Sequence, residues 1–276
     1  MRRKRSILFG IHAEPHGWFK WFLYLAAPVL FLVGYQVASM LYLADNPDGK
    51  IVPSFTAMGF RLWELAFTSD FRTDTYLLWA DTYVSLGRLF TGLAVATVVG
   101  LVLGMNIAMF PGLQYLVLPP IVAFSFVPMM ALLPILLIVL GIGEGAKVTL
   151  IFLGLVFFVT RDMYAATLGI NPKLILKART LGASELALVY QIVLPMILPR
   201  LFESVRLNLG PAWLFLIMGE AIASAEGLAY RIFLARRTTD MATILPYVCW
   251  ITLLAICIYY LLAELQRYTC HWEGRK

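Results

Sequence analysis

Apolar residues along this chain gather into runs of about 20 or more, the length an α-helix needs to cross a bilayer. Six runs are predicted as membrane spans, at 18–43, 82–110, 113–140, 147–168, 201–224 and 241–267. The breaks between them carry turn chemistry: Asp45-Asn46-Pro47-Asp48-Gly49, Pro111-Gly112, Gly141-Ile142-Gly143-Glu144-Gly145 and Asn171-Pro172. Proline cannot continue a helical hydrogen-bond ladder, and glycine and asparagine accept turn backbone. The N-terminal MRRKR looks like the start of a signal peptide. The run behind it is too long for a signal core and no small-residue cleavage site follows, so it is predicted to stay as the first span.

Two polar stretches interrupt the pattern differently. In 51–67, Phe55, Met58, Leu62, Leu65 and Ala66 recur at helical spacing, with Arg61 and Glu64 opposite. This predicts an amphipathic helix, either lying on the outer membrane surface or packed within an external loop. The stretch 171–195 reads as two short helices joined at a glycine. Asn171 caps the first and Pro172 opens it. Gly182 ends it, Ser184 caps the second, and Pro195 is expected to stop that one near Leu194. A segment this polar must project from the bilayer, with Leu181, Gly182 and Ala183 at its tip.

Composition agrees: 61% of the residues are hydrophobic and 14% charged, far less charge than a soluble domain carries. The 22 basic against 16 acidic residues suit anionic lipid headgroups or an anionic solute. With no basic stripe interleaved with aromatics, nucleic acid is not expected as a partner. If the N-terminus is cytoplasmic, twelve basic residues fall on the cytoplasmic side and seven outside, which puts both termini and the 171–195 projection inside. Cys249, Cys257 and Cys270 show no metal spacing or close pairing, and His12, His16 and His271 all sit in terminal segments. There is no HExxH or GxSxG pattern, and the glycine-rich 141–147 lacks the Gly-Lys-Ser/Thr of a phosphate loop. An enzyme is therefore not expected.

The projection also resembles a known motif. Gly182 is followed by nine residues and then Ile192-Val193-Leu194-Pro195, similar to the loop by which permease subunits of bacterial ABC importers dock onto their ATPases. The three positions at the start, Leu176, Lys177 and Ala178, lack the acidic residue of that motif. Ser85-Leu86-Gly87-Arg88 with Gly92, the proline-punctuated 119–143 ending in Gly-Ile-Gly, and Glu220–Tyr230 with Ala229 in place of a glycine resemble the nitrate, sulfonate, taurine and bicarbonate branch of that family. The likeness covers about 82–265 in the expected order. It implies an all-α type I importer permease with a cytoplasmic coupling helix. Its expected parts are an N-terminal tail, first span and external segment (1–81), a five-span core (82–267) with a coupling loop (171–199), and a cytoplasmic tail (268–276).

The resemblance further implies a second copy of the permease, two ATPase subunits and a periplasmic or lipid-anchored binding protein, in a bacterial inner membrane. ATP and magnesium would be held by the ATPase, with no cofactor in this chain. Docking would fall to Lys177, Ala178, Arg179, Leu181, Gly182, Ala183, Ser184 and Glu185. The translocation path is expected near Phe124, Phe126, Met129, Met130, Trp213, Met218 and Glu220, because prolines and polar residues in spans mark backbone that lines a cavity. Arg88, Arg161, Arg206 and Glu220 are costly in hydrocarbon, so each calls for a partner or a role. Gly100-x-x-x-Gly104 would permit close helix approach. The competing reading is a proton- or sodium-coupled secondary carrier, but neither the internal repeat nor the buried acidic relay it calls for is visible.

Overall fold

The computed structural model describes residues 17–46, 49–71 and 74–272. The N-terminal basic cluster, His12, His16, Pro47, Asp48, Arg72 and the last four residues lie outside them. The first helix, α1 (Gly17–Asp45), is apolar and almost wholly exposed along its length. It is tied at its end to the following segment, where Tyr35 donates to the Pro53 carbonyl (2.8 Å) and Ser39 to that of Val52 (3.1 Å).

The amphipathic segment forms α2 (Phe55–Phe67), with the Ser54 hydroxyl accepting from the Ala57 N–H. It packs on its neighbours through buried Leu65 and Ala66 and leaves Phe60 and Trp63 exposed. Arg61, with its side chain 39% exposed, lies between this helix and the last one. It bridges Glu64 and Thr243, because the start of the last helix offers it Thr243 Oγ1 at 3.1 Å and Asp240 at 4.0 Å.

The centre of the bundle is the pair α3 (Leu77–Met109) and α6 (Glu144–Leu168). Small residues let these two close on one another. A methyl group at Gly92 would lie 2.7 Å from Ile151, one at Gly100 2.8 Å from Val159, and one at Gly104 would strike the Thr160 carbonyl. Close backbone approach of this kind replaces the hydrophobic drive that helices lack in lipid.

Two predicted spans are not straight. The 113–140 run divides into α4 (Pro111–Ser125), a short turn (Met129–Leu132) and α5 (Leu133–Leu140), bent by 88°. Pro128 and Pro134 remove donors there, and Gly141 (φ +78°) ends the second piece. Beyond α6 comes α7 (Pro172–Thr180). After it, α8 (Glu185–Ala187), a wide π-turn (Leu188–Val193) and α9 (Leu194–Leu207) follow without a break. Pro195 therefore does not stop the helix. The wide turn sends the Leu194 N–H back to Val189, so the ladder is re-phased just before the residue that cannot donate.

Asn208 separates α9 from α10 (Leu209–Ala223), which bends by 54° into α11 (Leu228–Arg237) before the long α12 (Met241–Thr269). The predicted 201–224 span thus covers the end of α9 and all of α10. Among the described residues, five helices are long and apolar enough to cross a membrane, or up to seven if each bent pair is a span, which brackets the predicted six. One core cluster runs through Leu89, Leu150, Leu155, Leu216 and Tyr247. A second joins Met105, Val159, Met163, Val189, Val193 and Ile197 near the projection.

Replacing Gly104 by valine should destabilise the fold by about 1–3 kcal/mol through overpacking. Gly112→Ala, where nothing lies within 4 Å of the added carbon, should be near neutral. Melting temperatures of the detergent-purified variants check the contrast.

Candidate functional site

At one end of the bundle α7 and α8 form the projection. Asn171 Oδ1 accepts from the Lys173 N–H at 3.0 Å, so the helix begins at Pro172 as its sequence dictates. It ends in a left-handed glycine: Gly182 (φ +85°) donates to the Arg179 carbonyl and Ala183 to that of Ala178, at 3.0 and 3.1 Å. This pair of bonds satisfies carbonyls that the helix end would otherwise orphan. Ser184 then caps α8 by accepting from Ala187 at 3.2 Å. Arg179 and Glu185 face each other across the corner at 3.7 Å.

Lys177, Arg179, Leu181, Gly182, Ser184 and Glu185 are exposed, with Ala178 and Ala183 half-buried beneath them. Leu181 is 87% exposed, flanked by exposed Leu176 and Leu186. Apolar side chains on a polar tip make an incomplete surface. The base is firm by contrast, since Ile175 packs on the cluster that holds Val189 and Val193.

At the other end, charge is buried and fully paired. Glu220 is 0% exposed. One of its oxygens accepts from Ser85 (2.7 Å) and Arg88 (2.8 Å), the other from the Ala229 N–H (2.9 Å). Arg88, 3% exposed, also clamps both oxygens of Glu144 (2.5 and 2.7 Å) and donates to the Glu226 carbonyl (2.9 Å). Lys147 completes the cluster on Glu144 (2.7 Å) and Ser224 (3.2 Å). Beside it Asp81 accepts from the Gly227 N–H (3.0 Å), Arg231 (2.9 Å) and the Tyr247 hydroxyl (3.1 Å).

Gly227 (φ +119°) sits against the Glu220 carboxylate, where an added carbon would come within 2.6 Å. A glycine is required there both for its backbone and for its missing side chain. The Ser-Leu-x-Arg stretch of α3 and the Glu-to-Gly-Leu stretch of α10 and α11 are therefore two halves of one contact. Sequence reasoning read them separately and missed Asp81, Glu144 and Lys147. The signal available was that two motifs rich in charge both fell at the same end of their spans.

The residues expected along a path divide. Phe124 and Phe126 are exposed, and Phe124 stacks on Phe157 with centroids 5.9 Å apart. Met129 and Met130 line a cavity of about 260 Å³ at the α4–α5 bend, together with Ser125, Phe157, Phe158 and Phe215. Trp213 is buried in the core, its indole N–H without a hydrogen-bond partner among the described residues, and Met218 packs against the same core. Glu220 differs from expectation. It is fully buried and lines neither the cavity at the α4–α5 bend nor the cleft at the base of the projection, and Ser85, Arg88 and Ala229 occupy its oxygens. A larger cleft of about 690 Å³ lies between α6 and α9 at the base of the projection, crossed by the Ser204–Asp162 hydrogen bond.

Proline-broken apolar spans around a cavity, with a capped polar projection at one end, are the build of a multi-pass membrane protein. The chain belongs to the family of binding-protein-dependent transport system inner membrane components, which matches residues 96–268. The taurine transport permease TauC of Escherichia coli (strain K12) is 29% identical over 71% of this chain and 72% of its own length. The putative aliphatic sulfonates transport permease SsuC of the same organism is 29% identical over 89% of this chain and 88% of its own. A probable ABC transporter permease of Brucella abortus is 28% identical over 71% of this chain and 78% of its own.

Among solved structures, an inward-facing MetNI methionine ABC transporter shares the fold. Its TM-score is 0.64 at 21% identity, covering 71% of this chain and 97% of that one. The chain is thus the permease subunit of an ABC importer, an inner-membrane component that works with a separate ATPase and a substrate-binding protein.

Removing one partner of a buried ion pair strands the other charge and costs about 3–5 kcal/mol. Arg88→Gln should therefore lower thermal stability far more than Glu144→Gln, whose carboxylate side chain is 59% exposed. Differential melting of the two purified variants measures this.

Proposed function

We propose that two copies of this chain form the translocation path for a small organosulfonate, taurine or an alkanesulfonate, with both termini and the Gly182 projection in the cytoplasm. Residues 82–267 act as the permease core and 171–199 as its coupling loop, with 1–81 and 268–276 as peripheral segments. The projection carries this reading: an exposed apolar tip, held by a glycine turn on a packed base, matches what a helix seated in a partner's groove needs. Lys177, Ala178, Arg179, Leu181, Gly182, Ala183, Ser184 and Glu185 meet the ATPase there. ATP and magnesium are held by that partner, and this chain carries no cofactor.

The sulfonate assignment rests on the relatives named for taurine and aliphatic sulfonates. As the two ATPase subunits close on ATP, they draw the paired projections together. The continuous helical run from Glu185 to Leu207 carries that motion to the spans around Met129 and Met130. Hydrolysis then resets the inward-facing state.

Gly182 is the sensitive point, because any side chain there opposes the left-handed backbone and enlarges the tip. Gly182→Trp should reduce ATP-dependent uptake of radiolabelled taurine or ethanesulfonate into proteoliposomes by at least about tenfold, while the spans remain folded. Unchanged uptake by a stable Gly182→Trp complex would contradict the docking role. Absence of uptake for every sulfonate offered to the wild-type complex would contradict the substrate class.

A further inference from the structure

Arg161 has no role in the pairing described above. Its Nη1 donates to Ser125 Oγ at 3.2 Å, and among the described residues that is its one hydrogen bond, with no carboxylate in ion-pair range. A guanidinium has five donors, so most of the capacity of this exposed side chain is unspent, on a helix long and apolar enough to span a bilayer, where an unpaired charge asks for a role. The direction of the side chain is informative. Phe124 stacks on Phe157, and Arg161 lies one turn beyond Phe157 toward the projection. Instead of extending toward the projection end of the helix, it turns back to Ser125, the neighbour of Phe124. An arginine that merely snorkels would point the other way.

Ser125 is also a wall of the 260 Å³ cavity at the α4–α5 bend. Gly154, Phe157 and Phe158 line the same cavity from α6, and at helical spacing they share a face with Arg161. A cation thus stands at the rim of an apolar chamber of Met129, Met130, Phe157, Phe158 and Phe215. Among the described residues, no carboxylate lines that chamber.

We propose that Arg161 and this chamber form a substrate subsite that selects a small anion bearing a short apolar tail, an alkanesulfonate in preference to taurine. The sulfonate pairs with the guanidinium beside Ser125, and the alkyl tail enters the methionine–phenylalanine chamber. A bare inorganic anion leaves the chamber empty, and the ammonium of taurine finds no acidic partner in it. This subsite rests on the organosulfonate reading and makes it specific.

The test uses the purified permease–ATPase complex in nanodiscs and the ¹⁹F signal of 3,3,3-trifluoropropane-1-sulfonate, with 3,3,3-trifluoropropan-1-ol as the uncharged control. Saturable sulfonate binding should weaken at least about tenfold in Arg161→Gln and stay within about threefold of wild type in Arg161→Lys. Alcohol binding should be the same in all three. Phe158→Ala, which keeps the charge, should weaken sulfonate binding about fivefold by removing apolar wall. Propane-1-sulfonate should displace the probe at lower concentration than taurine.

Equal sulfonate affinity in wild type and a folded Arg161→Gln complex overturns the proposal, as does tighter displacement by taurine. If Arg161→Gln does not assemble, an unchanged affinity in Phe158→Ala overturns it instead. The proteoliposome assay separates the two readings. Uptake without Arg161-dependent binding removes the subsite alone, whereas Arg161-dependent binding without uptake upholds the subsite and removes the transport assignment.

Discussion

A guanidinium shut away from water must have carboxylates on it, and Arg88 meets that demand with Glu144 on one side and Glu220 on the other. The three residues come from α6, α3 and α10, so one electrostatic requirement fixes where three helices stand relative to one another. Lys147, Ser85 and the Glu226 carbonyl fill the remaining valences. Such a network is a poor source of net stability, because desolvation offsets much of the attraction. Its value lies in specificity: α10 can turn into α11 at one place and one angle, where Gly227 lies flat on the Glu220 carboxylate.

The opposite end of the bundle is built on another plan. The projection is anchored by apolar packing at its base and held by caps, with its charges in water. Between the two ends the chain is stiff along one line. A helix that stopped at Pro195 would have left a joint between the projection and the core. The π-turn at Leu188–Val193 removes that joint by carrying the ladder through to Leu207. In the proposed mechanism, displacement of the Gly182 tip passes along this run to α9 and on to α10. The neighbouring pair α4 and α5 is broken at its middle, and the cavity forms at that break.

Much of this was legible from residue order. The Asn171-Pro172 start, the Gly182 corner and the Ser184 cap follow from rules that act over four or five residues, and the structure has all three. The apolar runs located the bundle for a similar reason, since hydropathy needs only neighbours in sequence. Pro195 was misread because π-geometry depends on what packs against Val189 and Val193, which lie against Met163 and Ile197 from other elements. Glu220 was legible as a residue that needs a partner or a role, but which partners was not, because Ser85 and Arg88 lie more than 130 positions away. The bond from Arg61 to Thr243 was not legible for the same reason, since the two are 182 positions apart. Local signals gave the projection, and only the fold could give the buried charge network.

Affinity purification of the tagged chain from native membranes in mild detergent tests the account most directly, with the subunit ratio read by native mass spectrometry. The account predicts two copies of this chain carrying two ATPase subunits, with the ATPase lost when the Gly182 corner is disrupted. A folded chain recovered without any ATPase, and transport that persists in its absence, would contradict it.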